Sequence, residues 1–369
     1  MGIKTRNFAN NILSGGTIDG TDFLSGTLPS SNITNDSAAS VTSIPSISNV
    51  VSTVAGDPPS PALGDIWYNS STNALKFQGF LSDAFSSGGN LNTALGSLGS
   101  SGTQTAALAF GGNDPGYSTA TELYDGSTWT SNPTGLNVGR SILVGAGTQT
   151  ASVAFGGYAG GGGAPTAGVS VEDWDGSTWT TGTSFNTKYG NAGCGSQTAA
   201  LSTGGSGAPL SDRLDETEEY NGSTWTAGGN LGTARTYFKA TGTQTAGLTF
   251  GGFLLGGTET NATEEYDGSS WTTGGNLGTS KRNLGGAGIQ TSSIAFGGTD
   301  GTIYLATTEE YNGTSWSSNT ATLSTARQSP GSAGTSSAAA AFGGTDGSLT
   351  NSTEEYNEAG AGAKTFTTD

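Results

Sequence analysis

The 369-residue chain has no histidine, one cysteine (Cys194) and one methionine. Without an imidazole, Ser/His/Asp and Cys/His nucleophilic arrangements are excluded, as are metal centres built on histidine ligands. A single cysteine allows no intrachain disulfide, and Cys194 is expected to be a small packed residue. Positive charge is scarce as well. Twelve Lys and Arg against 29 Asp and Glu give a formal charge of −17. That balance repels phosphate backbones and anionic lipid, so no nucleic acid partner is expected. No apolar run approaches the roughly 20 residues of a membrane helix, so no membrane insertion is expected. The opening MGIKTRNFANNILSGG lacks the apolar stretch of a signal peptide, and Arg6 stands where a myristoylation motif carries Ser or Thr.

What is abundant is glycine, 64 residues, with Ser, Thr and Asn, while hydrophobic residues make up 32%. This disfavours helices and favours many short strands joined by tight turns, so the fold class is all-β. Disorder is the rival reading of so polar a chain, but Trp, Tyr and Phe recur at fixed spacing, as a packed core requires.

Two markers alternate from about residue 90 onward. One is an apolar strand ending in diglycine, as in ALAFGG; its last residue before the glycines is Phe110, Phe155, Thr203, Phe250, Phe296 and Phe342, 45 to 48 residues apart. The other is an acidic strand, a turn and a tryptophan, as in TEEYNGSTW, ending at Trp129, Trp179, Trp225, Trp271 and Trp316. The Asp-Gly or Asn-Gly pairs, such as Asp125-Gly126, predict type I′ hairpins between the third and fourth strands of each unit. GTQT and its variants predict a tight reversal between the first and second. Four antiparallel strands per 46-residue repeat describe a propeller blade, which buries its faces only by stacking on neighbours.

The ordered set Gly251-Gly252, Glu264, Tyr266, Trp271, Leu277 and Lys281, matched in the preceding unit by Gly204-Gly205, Glu218, Tyr220, Trp225, Leu231 and Arg235, resembles the kelch repeat. The resemblance covers roughly residues 90 to 369 and implies a six-bladed kelch-like β-propeller. The WD40 signature needs a Gly-His that this chain cannot supply, and sialidase Asp-boxes separate Asp from Gly by a residue. The sixth unit lacks its tryptophan, while AFSSGGNLNTAL at 84 to 95 aligns with TWTAGGNLGTAR, placing Phe85 in the tryptophan position. The N-terminal strand is therefore expected to complete the last blade; the alternative outer strand runs through Thr365 and Phe366.

Residues 1–62, rich in Ser, Thr, Asn and Gly, read as an anchor and linker, and residues 63–83 as a short β-hairpin connector ahead of a propeller over 84–369. A low-complexity start followed by GDIWYNSSTNALKFQG resembles bacteriophage tail-fibre and other virion appendage proteins. That resemblance implies a phage virion structural protein, located in the particle. It would dock to other virion structural proteins through residues 1–62, attach to a host cell-surface glycan or protein, and act as a homo-oligomer. A non-viral bacterial adhesin or kelch protein-interaction scaffold is the alternative.

No catalytic residue, metal site or cofactor is expected. The Glu at 122, 172, 218, 264, 309 and 354 recurs in every unit and reads as scaffold, whereas a catalytic carboxylate normally breaks a repeat's symmetry. Arg140, Lys188, Arg235, Lys281, Arg282 and Arg327 fall at or beside one repeat position, which Leu95 occupies in the first unit. They fit either ion pairs with the recurring Glu or a ring of positive charge that captures an acidic sugar. The pairing is favoured because both groups recur together. The loops after each diglycine vary, and Tyr117, Tyr158, Phe253, Leu254, Leu255 and Tyr304 place apolar or aromatic groups there. These are the candidate contacts for a glycan or protein, with folding back over blade edges as the competing reading.

Overall fold

The computed structural model describes residues 52–55, 66–71, 74–80, 83–159, 166–167, 171–184, 186, 188–207, 212–359 and 361–365. The chain forms two compact units, 1–81 with 359–369, and 82–358. In the first unit, Ile66–Asn69 and Ala74–Phe80 form the expected antiparallel pair. Ser52–Val54 adds in parallel on one side and Ala361–Thr365 antiparallel on the other. Thr365 thus pairs with Lys76 and takes no part in the propeller, which ends before the C-terminal residue expected for it. Most of residues 1–62, the expected virion-docking segment, lies outside the described residues.

The second unit is a ring of six four-stranded antiparallel blades. The first blade runs outward through Gly99–Thr103, Ala106–Phe110, Thr121–Tyr124 and Trp129–Asn132. Blades two to five repeat this order, and neighbouring inner strands pack on one another around the axis. The sixth comprises Gly331–Gly334, Ala338–Phe342 and Thr353–Asn357, and its outer strand is Ala84–Ser87, with Phe85 opposite Tyr356. The N-terminal strand therefore closes the ring. Phe85 takes the tryptophan's place, its ring 5.6 Å from that of Phe296 in the fifth blade.

Each recurring residue forms one part of a joint between blades. Trp129 packs on Phe342 of the sixth blade, Trp179 on Phe110 of the first and Trp316 on Phe250 of the fourth. The phenylalanines are fully buried, each contributing on the order of 1.5–3 kcal/mol. The indole N–H donates to a threonine one blade back, Thr353, Thr121 and Thr263 in turn, at 2.9 Å. The glutamine between the first two strands reaches the same neighbour: Gln244 Nε2 donates to the carbonyls of Ala200 and Tyr220. These bonds use the backbone oxygens that a stacked sheet would otherwise leave unsatisfied. Diglycine brings the next blade's entry strand close, since Gly112 N–H donates to the Arg140 carbonyl at 2.8 Å. Gly112 has φ +97, and a Cβ there would lie 2.9 Å from the Gly96 carbonyl oxygen, a conformation and an approach that only glycine permits without strain.

The Asp-Gly turns differ from the expected type I′. Tyr124 pairs directly with Trp129, so the loop spans four residues, 125–128, and positive φ occurs at Gly126 alone of these. The Asp125 side chain closes it by accepting from the Ser127 and Thr128 amides at 2.8 and 2.7 Å. This is an Asx turn, in which the carboxylate does what a second left-handed residue would have done.

Candidate functional site

The base of each blade entry is part of the scaffold. Arg140, Lys188, Arg235, Lys281 and Arg327 meet Glu172, Glu218, Glu264, Glu309 and Glu354 at 3.1, 2.7, 2.8, 2.9 and 2.6 Å, all buried. The same carboxylates take amide hydrogens from the strand entering the blade, such as Gly232 N–H to Glu264 at 2.6 Å. Burial lowers all five bases, Arg235 to about 10, against the pull of the paired carboxylate. A side chain so enclosed cannot reach a ligand, so the positive ring on the surface is not formed by Arg140, Lys188, Arg235 or Arg327. In the first blade Leu95 replaces the base, and the buried Glu122 accepts instead from the Asn92 and Thr93 amides.

Arg282, one residue past this position, is half-exposed. It pairs with Glu259 at 2.8 Å and lies 4.2 Å above the Phe253 ring. Arg213 approaches the same ring at 5.5 Å and donates to Ser206. Phe253 and Leu254 are half-buried and Leu255 is 70% exposed. Phe253 thus packs against both guanidinium groups.

The variable loops emerge on one face. Six equivalent bridges join each blade entry to the residue after the diglycine, among them Gly96 to Asn113, Ser141 to Tyr158 and Thr236 to Phe253. On this face Tyr117 and Tyr158 meet at 5.5 Å between ring centroids, Tyr158 and Tyr189 at 5.8 Å, and Tyr189 and Tyr237 at 6.3 Å. These contacts make a row across blades one to four, from Tyr117, 39% exposed, to the channel mouth. Tyr304, bridged to Thr299 in the fifth blade, stands outside it. Tyr189 and Tyr237 were not among the expected contacts. Their signal was an aromatic side chain just after the base, where other blades carry Ser, Gly, Ile, Asn, Gln, Thr or Arg.

Tyr237 belongs to a closed ring at the mouth. Its amide donates to the Gly190 carbonyl, Gly190 to Ile142, Ile142 to Ser97, Ser97 to Ser329, Ser329 to Asn283, and Asn283 back to Tyr237, at 2.7 to 3.4 Å. All six residues have φ between 53 and 61. Five are not glycine, and Ile142 is β-branched, so this left-handed turn is imposed by ring closure against local preference. Burial and Tyr189 raise the Tyr237 phenol, while Arg213 and Arg282 pull it down. Tyr189 is itself buried, 7% exposed, and braces the row from beneath; the partly exposed Tyr117, Tyr158 and Tyr237 can stack on sugar faces or on apolar side chains and accept hydrogen bonds at their hydroxyls. Among the described residues no three His, Cys, Asp or Glu side chains gather into a metal-binding group.

No family model and no curated protein matches the chain. Among solved structures, that of YjhT is similar, with a TM-score of 0.58 and 14% identity over 74% of this chain and 96% of YjhT. The likeness is one of fold. It agrees with the six-bladed ring.

Proposed function

We propose that the chain is an attachment component of a bacteriophage particle, a tail fibre or other appendage. In this reading the kelch-like propeller presents its tyrosine row to a host-surface glycan or protein. The observation that carries the binding role is the row itself: tyrosines from four blades, with Tyr158, Tyr189 and Tyr237 at positions where the other blades carry no tyrosine, aligned on the face where the variable loops emerge. Repeated acids and bases are consumed in the joints, which leaves the unrepeated side chains to discriminate a ligand. The virion assignment is supported by the N-terminal sequence, whose polar, low-complexity character suits a segment that orders on docking. Many copies on one particle would convert weak contacts into firm attachment. Binding without catalysis is part of the same proposal.

The test has two parts. Particles purified from an infected culture are probed for the chain, and the full chain is applied to a glycan array and to host cells. Presence in particles together with saturable surface binding is the expected result. Surface binding without particle association would move the chain to the non-viral adhesin class, and absence from particles together with no surface binding would overturn the proposal.

A further inference from the structure

We propose that the propeller channel contains a site for a small oxyanion, a carboxylate or phosphate group, anchored by the Lys239 ammonium. The six inner strands read GSSGT, VGAG, AGCGS, KATGT, GGAGI and GSAG, and Lys239 is the one charged side chain on them. At the equivalent position the other blades carry Gly99, Val144, Ala192, Gly285 and Gly331. The bases at the blade entries each meet a carboxylate, but among the described residues no hydrogen bond or ion pair reaches Lys239. Lys239 is half-buried in the channel wall; an ammonium there has given up part of its hydration without gaining a counter-charge, and a bound anion offsets that loss.

The space and its lining suit such a ligand. Two cavities of about 110 Å³ each follow the channel and share Lys239, Ala240, Ser100, Gly145 and Gly193. The first extends to the ring at the mouth. Beside Lys239, on the adjacent inner strand of the fifth blade, stands Gly286, where a Cβ would lie 3.2 Å from the lysine Cγ, so glycine leaves the chain room to extend. The inner strands carry no Asp or Glu, and an entering anion meets no fixed negative charge there. The titratable groups that share these cavities with Lys239 are Cys194, whose thiol burial pushes up to about 12 and so keeps neutral, and Tyr237 at the mouth, whose phenol burial also raises. Burial pushes Lys239 down to about 8, with Cys194 pulling the other way. The amine is charged below that pH and loses its hold on an anion above it. The site lies within the channel and does not depend on what the tyrosine row binds.

The test is calorimetric titration of the full chain with sodium phosphate and with sodium acetate, each against sodium chloride at matched ionic strength. Saturable binding of phosphate or acetate is expected, weakening as pH rises past about 8. It should fall about tenfold or more in Lys239→Met, the scale of one charge-assisted hydrogen bond. Phosphate alone would mark the ligand as a phosphate compound, acetate alone as a carboxylate. Neither anion binding beyond chloride, or unchanged binding in Lys239→Met, overturns the proposal. Circular dichroism checks that the variant folds. Should it not, the Lys239 Cε resonance of the lysine-labelled native chain is followed instead, and a resonance unmoved by both anions overturns the proposal equally.

Discussion

Arg235 and Glu264 meet at 2.8 Å in the joint that enters the fourth blade, both buried. The guanidinium also donates to the Ala262 carbonyl and to Thr249 Oγ1. Four further blades repeat the pairing, so the charges that look most like a site in the sequence are fixed parts of the ring.

Removing one partner should cost far more than removing both. Arg235→Ala leaves the Glu264 carboxylate buried and uncompensated, an expected loss of about 3–5 kcal/mol. The double change Arg235→Met with Glu264→Leu should cost clearly less than that. Denaturant unfolding of the three proteins measures the difference.

The joint between the first two blades uses different chemistry. Elsewhere a tyrosine donates to a carboxylate one blade back, as Tyr266 does to Glu219 at 2.6 Å and Tyr220 does to Asp173. Here both partners change together: Trp174 replaces the tyrosine and packs with Leu123, which replaces the glutamate, and the indole donates to the Gln149 carbonyl at 2.8 Å. Trp174→Tyr and Leu123→Glu should each destabilise, because each leaves a polar group facing an apolar partner. Combined, they should recover part of the loss, with a coupling of roughly 0.5–3 kcal/mol. Thermal or denaturant melts of the double-mutant cycle check this.

Alkaline pH should weaken the joints. Tyr124, Tyr266 and Tyr311 are pushed up to about 12 from 10.0, by burial first and then by the carboxylates of Glu355, Glu219 and Glu265 to which they donate. A phenol raised on folding contributes stability that is whole below the unfolded value and is lost as pH climbs through the folded one. Lys239, depressed on folding, acts in the opposite direction between about 8 and 10.5. Stability is expected to fall steeply between pH 10 and about 12, and ultraviolet titration should show phenolate forming in step with unfolding. Tyr266→Phe should reduce the slope.

The ring was legible in the sequence because each joint residue recurs with the blade: the tryptophan, the glutamine, the diglycine and the paired acid and base. Phe85 could be placed beside Tyr356 because its neighbours match the outer-strand pattern. The Asp-Gly turn was misread because the dipeptide alone does not reveal that Asp125 reaches forward to close a four-residue loop. Tyr189 and Tyr237 do not stand out in the sequence because they lie one and two residues past the base, in a segment whose repeated neighbour makes it look structural. Their partnership with Tyr117 and Tyr158 depends on four blades standing side by side, residues 117 and 237 being over a hundred positions apart in the chain. Lys239 becomes conspicuous only when the inner strands are aligned against one another.

The measurement closest to the central claim is the affinity of the full chain for its host surface, or for a glycan selected on the array, compared with Tyr158→Ala. Tyr158 joins Tyr117 to Tyr189 in the row. Ser223→Ala, in an exposed turn on the opposite face, serves as the control. A loss of about tenfold or more is expected for Tyr158→Ala, as for an aromatic anchor in an interface, with melting unchanged and Ser223→Ala binding like the native chain. Native affinity in Tyr158→Ala would contradict it.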